Sequence, residues 1–370
     1  MFSIDRRRIH YFDWISFCII GILSMISLLF VFSATYSPER PISIFFQKQL
    51  VGIASGFLIY FSMCAVNHRS LERWGYFLFF ATMGLLIFTL FKGSVGLGAQ
   101  RWINLGFIKF QPSELTKLFF PAFFTHSLAA NFDGTMRLRT YGPMLAIVGI
   151  SSFFILKQPD LGTALVILFS FFILLWIAGV RKLFFVSMAF IVVICAPVGW
   201  HFLKPYQKQR IIVFFGGGSS QKERYQIEQS RIAIGSGGLW GKGYLRGTQN
   251  QFNFLPESRT DFIFSVICEE WGFVGALCVI MLYVLLFARL FYVASTIKNM
   301  YMQLLALGLI LPTLVSAIIN ICMVIGLLPI VGIPLPFITY GITHIWITFA
   351  SLGWFNGIAS RRFMYLNDGK

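Results

Sequence analysis

Acidic residues are scarce in this chain, with 14 Asp and Glu against 30 Lys and Arg, and charged residues make up only 12% of its 370 positions. A soluble chain carries about 25% charged residues, so this composition excludes an ordinary soluble domain. The six cysteines lie in apolar runs without a C-x-x-C pair, and the histidines show no ligand spacing. We therefore expect buried apolar cysteines and no disulfide framework or dedicated metal site.

Long apolar runs fill the chain instead, since 57% of its residues are hydrophobic and its mean hydropathy is +0.76. The run from Trp14 to Ala34 already reaches the roughly 20 residues that cross a bilayer. The prediction is an all-α integral membrane protein of about ten transmembrane helices, forming one polytopic membrane domain over residues 1–370. The predicted spans are 14–34, 46–66, 75–92, 114–131, 141–157, 161–179, 183–203, 262–291, 301–327 and 340–360.

The distribution of basic residues predicts the orientation of these spans. With the N-terminus in the cytoplasm, every inner segment carries at least two basic residues, as the positive-inside rule requires. Both termini are then cytoplasmic, and residues 204–261 form a large extracytoplasmic loop between helices 7 and 8. This loop holds nine basic and four acidic residues, which indicates an anionic partner such as a phosphorylated lipid headgroup rather than a nucleic acid.

Three acidic residues begin even-numbered spans: Glu114 in FQPSELTK, Asp160 in QPDLGTAL and Asp261 in LPESRTDFIF. Even-numbered spans run from outside to inside, so the topology places all three acids at the outer surface. Helix capping is the alternative for each, because carboxylates favour a helix N-terminus. Lys117 follows Glu114 by three residues, so the two can pair on one helix face, and Lys117 is either a neutralising charge or a cation for phosphate.

A glycine-rich segment, IAIGSGGLWGKGYLRGTQ (residues 232–249), lies within the large loop and carries Lys242. Closely spaced glycines let backbone N–H groups approach an anion, although no Walker motif is present. A flexible connector is the alternative. Nearby, YQIEQSRIAI predicts a short surface helix, and Glu269 with Glu270 is interpreted as a structural pair without a catalytic role.

The outer face thus offers carboxylates, cations and helix N-termini, which attract phosphate. A carboxylate can accept a proton from a hydroxyl nucleophile, and cations stabilise a departing pyrophosphate. These residues favour either group transfer from a lipid-linked phosphate donor to a hydroxyl or transport of such a lipid. The residues alone leave both alternatives open.

The longest motifs resemble the SEDS family (shape, elongation, division and sporulation), and more its rod-shape branch than its division branch. They are GAQRWINLGFIKFQPSELTK, QPDLGTAL, PYQKQRI, QSRIAIGSGGLWGKGYLRGTQ, FLPESRTDFIF and GLLPIVGIPLPF. The resemblance covers about the whole chain and implies a peptidoglycan glycosyltransferase that polymerises lipid II in the bacterial inner (cytoplasmic) membrane during cell-wall elongation. It also implies a class B penicillin-binding protein, a transpeptidase, as partner.

The resemblance implies site residues as well. Asp261 corresponds to the family's essential catalytic aspartate, and Glu114, Lys117 and Asp160 correspond to its other conserved motifs. The remaining candidates for substrate binding are Arg101, Arg210 and Lys242. A divalent cation is possible as a cofactor, but the sequence contains no dedicated cage of ligands for one. A lipid-linked precursor transporter and a non-catalytic scaffold for a cell-wall synthase are the alternative functions.

Two segments depart from the family pattern. The family's SYGGSS is TYGITH here (residues 339–344), which places Ile342 and His344 where small residues are usual and predicts a narrower or reshaped site. After PYQKQRI the usual FLDP is replaced by FFGGG (residues 214–218), which predicts a more flexible loop. Neither departure touches Asp261.

Overall fold

A computed structural model describes residues 10–39, 41–96, 99–104, 106, 109–131, 136–203, 205–217, 221–252 and 254–362. The long helices are α1 (Trp14–Thr35), α2 (Ile44–Ala65), α3 (His68–Lys92), α4 (Pro112–Asn131), α5 (Leu138–Lys157), α6 (Leu161–Ile177), α7 (Lys182–Phe202), α11 (Ile263–Ser295), α12 (Met300–Val324) and α13 (Ile342–Ala359). Each of the ten predicted spans coincides with one of them, which confirms the helical class.

The helices differ in their capacity to cross a bilayer. Among the described residues, six are long and apolar enough: Trp14–Thr35, Ile44–Ala65, Arg73–Lys92, Leu138–Lys157, Ile263–Ser295 and Met300–Val324. The central helices α4 and α13 are buried along almost their whole length by their neighbours α2, α3 and α12. Because they face protein rather than lipid, they can carry polar residues, and this is where the structure places part of the candidate site.

The outward faces are strongly apolar. Leu58, Phe91 and Leu183 are 70–79% exposed on α2, α3 and α7, as expected of side chains that contact lipid tails. All six cysteines are free, and only Cys268 is buried. The expectation of buried cysteines was therefore wrong for most of them, because an apolar run does not distinguish a side chain that faces lipid from one that faces protein.

A small antiparallel sheet precedes α4, and the prediction of an all-α chain did not include it. It has the order β1 (Ser94–Gly96), β2 (Ala99–Asn104) and β3 (Lys109–Phe110), and Ser94 pairs with Trp102 while Ile103 pairs with Phe110. The sheet holds Arg101 above the start of α4.

The segment between α7 and α11, which was predicted as a large loop, is about half helical. It contains α8 (Pro205–Phe214), α9 (Gln221–Ser236) and α10 (Thr248–Gln251), while Lys204, its predicted first residue, lies outside the described residues. The short helix predicted from YQIEQSRIAI is confirmed as part of α9. This helix packs along α11. Its Ser230 also donates to the carbonyl of Val324, the last residue of α12, at 2.8 Å.

Candidate active site

A cavity of about 1030 Å³ opens at the end of the bundle where α4, α6 and α11 begin. We call it the polar cavity. Its charged lining residues are Lys48, Arg101, Glu114, Lys117, Asp160, Arg210, Glu257 and Asp261, with His344 beside them. The three acids predicted to meet at one surface therefore share a single cavity, together with three of the predicted cations.

Asp160 anchors one wall of the polar cavity. It caps α6 by accepting the N–H of Thr163 at 3.2 Å, and its other oxygen accepts hydrogen bonds from Gln111 at 2.7 Å and Ser113 at 2.8 Å. Arg101 lies 3.8 Å from the capping oxygen. The capping alternative is thus correct for Asp160, and the same carboxylate also joins the start of α4 to the sheet and fixes a guanidinium at the cavity wall.

Glu114 is buried in the first turn of α4 between two nitrogen donors. Lys117 donates to its Oε1 at 2.7 Å, as the spacing of three residues predicted, and His344 Nδ1 lies 3.0 Å from its Oε2. All three side chains line the polar cavity. The contact with His344 joins α13 to α4, and the sequence analysis missed it because 230 residues separate the pair.

Asp261 lies two residues before α11 and is partly enclosed by the cavity wall. Its backbone carbonyl accepts a hydrogen bond from Asn320 at 3.0 Å, which fixes the turn that carries it. Burial and the nearby carboxylate of Glu257 raise the pKa of Asp261 to about 6, although Arg210 and Arg101 act to lower it. A carboxyl group with this pKa is ionised at neutral pH and still basic enough to accept a proton in a reaction.

The polar cavity joins a basic carboxylate to fixed cations, which is what a transfer reaction with an anionic leaving group requires. Among the described lining residues, Arg210 is the single basic residue from the large loop, so most of the loop's positive charge lies elsewhere. The sequence analysis did not identify Gln111, Glu257 or Lys48. Gln111 and Glu257 lie in the motifs that carry Glu114 and Asp261, which could have pointed to them, whereas Lys48 lies in no such motif and reaches the cavity through tertiary packing.

Lys242 does not line the polar cavity. Its ammonium donates to Glu269 at 2.7 Å and to Thr248 at 2.8 Å, and its backbone N–H donates to the carbonyl of Glu269 at 3.0 Å. The charge of Lys242 is thus paired with a buried carboxylate outside the polar cavity, and its role in substrate binding stays a prediction.

Close packing against α11 requires glycine at particular positions around Lys242. A Cβ on Gly241 would lie 2.1 Å from the carbonyl oxygen of Glu270, and one on Gly272, at φ +67°, would lie 2.3 Å from the nitrogen of Gly241. The segment is therefore pinned to α11. Neither of the two interpretations from the sequence, an anion-binding glycine-rich segment and a flexible connector, describes this packing.

Comparisons with known proteins cover nearly the whole chain. A family of cell cycle proteins, FtsW/RodA/SpoVE, matches residues 9–362. The peptidoglycan glycosyltransferase MrdB of Helicobacter pylori strain J99 is 36% identical over 348 residues, which covers 92% of this chain and 87% of that protein.

Two solved structures have the same fold. A chain in a structure of a peptidoglycan synthase complex, concerned with the coordination of polymerization and crosslinking, gives a TM-score of 0.80 at 27% identity. The rod shape determining protein RodA of Thermus thermophilus gives a TM-score of 0.72 at 26% identity. Each similarity covers 95% of this chain and 98% of the other.

Proposed function

Since this chain belongs to the SEDS family of cell cycle proteins, FtsW, RodA and SpoVE, and is a multi-pass peptidoglycan glycosyltransferase, we propose that Asp261 is the general base of its reaction. The observation that carries the proposal is a carboxylate with a pKa of about 6 in a cavity of about 1030 Å³, within the influence of two guanidinium groups. The alternatives of a transporter and a scaffold have no comparable observation in their favour.

The substrates are two lipid-linked disaccharides of the lipid II type. Asp261 takes the proton of the acceptor GlcNAc 4-hydroxyl as that oxygen forms a bond to the anomeric carbon of the donor MurNAc. The bond between that carbon and the pyrophosphate oxygen breaks, and undecaprenyl pyrophosphate leaves with the electron pair. A single displacement of this kind inverts the anomeric centre and requires a base but no covalent nucleophile.

The cations of the polar cavity receive the leaving group. Arg101 is held at its wall by Asp160, Lys117 by Glu114, and Arg210 lies near Asp261. Guanidinium groups suit phosphate because their N–H groups match its oxygens in pairs. Arg101 and Arg210 stabilise the charge that develops on the departing pyrophosphate. Lys117 binds the charge that the pyrophosphate already carries in the bound substrate, and this contact contributes equally to substrate and transition-state binding.

The polar cavity opens on the non-cytoplasmic side of the inner membrane, with ten helices crossing the bilayer and both termini in the cytoplasm. The positive-inside pattern supports this orientation, and a growing glycan strand has to be delivered on that side. A class B penicillin-binding protein then cross-links the product. The similarity to a chain of a peptidoglycan synthase complex supports such a partner.

A glycan assay with the purified protein and its transpeptidase partner tests the role of Asp261. Supplied with labelled lipid II, the parent is expected to give glycan chains on a gel, and Asp261→Asn is expected to slow polymerisation by about 100-fold or more, the usual effect of a general base. Glu228→Gln, which changes an exposed acid on α9, is the control and should retain the parent rate. Polymer from Asp261→Asn at the parent rate would exclude Asp261 as the base.

A further inference from the structure

His344 is the one histidine that the structure brings into the polar cavity among the described residues, and it is 8% exposed in the first turn of α13. Its Nδ1 lies 3.0 Å from Glu114 Oε2, while Lys117 Nζ lies 2.7 Å from Glu114 Oε1. The two carboxylate oxygens thus have separate partners on separate helices. This arrangement depends on a histidine where the family resemblance places a small residue.

The contact with Glu114 determines which ring nitrogen of His344 carries the proton. A carboxylate only accepts hydrogen bonds, so Nδ1 carries the proton that points at Glu114. The other ring nitrogen, Nε2, is buried without a hydrogen-bond partner among the described groups, as is Ser316 Oγ. His344, Ser316 and Lys117 all line a small pocket of about 10 Å³ beneath the polar cavity, which is about the space that one water occupies.

We propose that His344 is a positioning residue that keeps Lys117 available to the pyrophosphate of the lipid-linked substrate. By donating to Oε2, His344 limits Glu114 to a single contact with the ammonium of Lys117. The remaining N–H groups of that ammonium can then donate to the substrate pyrophosphate in the polar cavity. Without that donor, Oε2 is left to Lys117, which is the nearest cation, and the ammonium is drawn onto the carboxylate and away from substrate. This inference rests on the proposed function of the cavity.

The test separates substrate binding from the rate of the chemical step in polymerisation of labelled lipid II. We expect His344→Leu to raise KM about tenfold, the typical value of a hydrogen bond to a charged group, with kcat within about twofold of the parent. His344→Asn retains an amide donor near the position of Nδ1 and should restore most of the parent KM. If His344→Leu is not recovered in folded form, His344→Ser serves for the same comparison.

His126→Leu and His126→Asn are the matched controls. His126 lies on the same helix as Glu114, twelve residues further on and so about 18 Å away, where its ring contacts Tyr76 at 4.5 Å. Both control variants should retain the parent KM. A role in packing alone would lower kcat or protein yield and leave KM unchanged, and that result would overturn the proposal.

A double substitution tests whether His344 acts through the charge of Glu114. In a Glu114→Gln background the competitor for Lys117 is gone, so His344→Leu should raise KM no further. An equal rise in both backgrounds would contradict the proposal. The assignment of Asp261 is judged separately: its failure appears as full kcat in Asp261→Asn, whereas failure of the present inference appears as an unchanged KM in His344→Leu.

Discussion

Asp261 is subject to opposing electrostatic influences at the scale of single residues. Burial and Glu257 disfavour its ionised form, and Arg210 and Arg101 favour that form, with a resulting pKa of about 6. A base acts only when deprotonated, so the rate of polymerisation is expected to rise as the pH increases through about 6 and to level off above that value. Values of kcat/KM, measured at lipid II concentrations well below KM between pH 5 and 8, give this profile, because kcat/KM reports the pKa of the substrate-free enzyme.

Glu257→Gln removes the negative charge that raises the pKa of Asp261. The acid limb of the rate profile should therefore move to lower pH, and Arg210→Gln, which removes a positive charge, should move it to higher pH. Glu228→Gln is the control, because Glu228 lies on α9 in an exposed pair with Arg224. If the limb stays in place in Glu257→Gln and Arg210→Gln alike, the titrating group is not Asp261.

The residues of the polar cavity were predictable to different degrees. Glu114, Asp160 and Asp261 follow from the topology, since even-numbered helices begin at one surface, and Lys117 follows from its spacing to Glu114. The TYGITH departure already placed His344 at the site, but its contact with Glu114 was not predictable, because the two residues are 230 positions apart in sequence.

At the scale of elements, the segment before α11 is held in place by two adjacent buried glutamates. Glu269 accepts hydrogen bonds from Lys242 at 2.7 Å, Thr248 at 3.0 Å and the N–H of Gln249 at 3.1 Å. Glu270 accepts from Ser33 of α1 and from the N–H of Leu245. The structural interpretation of this pair agrees with these contacts, which tie the glycine-rich segment to α1 and α11.

Glu269→Ala is expected to destabilise the protein by about 2–4 kcal/mol, because it leaves the ammonium of Lys242, the hydroxyl of Thr248 and the N–H of Gln249 without their acceptor. Thermal unfolding in detergent should show a clear drop in Tm. Glu228→Ala breaks an ion pair whose side chains are 55–60% exposed and should leave Tm nearly unchanged. Equal Tm values for the two variants would mean that the buried pair does not stabilise the segment.

The elements themselves were predictable where they are long and apolar. The ten predicted spans agree with helices to within a few residues at most ends, the largest difference being the start of α3 at His68 rather than residue 75. The sheet was missed because strands of two to six residues give no periodic signal. The glycine-rich segment was misinterpreted because glycines that admit an anion and glycines that admit a neighbouring backbone look alike in sequence.

At the scale of the whole molecule, the proposed chemistry requires the polar cavity to face away from the cytoplasm. Helix α11 is interrupted by a kink at Gly272, and its uninterrupted part, residues 273–295, spans about 35 Å, which is enough to cross a hydrocarbon core of about 30 Å. One end follows Asp261 at the cavity, and the other carries the exposed Ser295. The two ends must therefore lie on opposite sides of the bilayer if the helix crosses it.

Cysteine labelling in intact cells tests that orientation. In a background without the native cysteines, Gln251→Cys, near the cavity end, is expected to react with a membrane-impermeant maleimide, while Ser295→Cys should react only after the membrane is permeabilised. Both positions are exposed in the structure, so a difference in labelling reports the side of the membrane rather than burial. The reverse pattern would place Asp261 on the cytoplasmic side, where it could not extend a glycan strand outside the membrane, and the proposed role of the polar cavity would have to be abandoned.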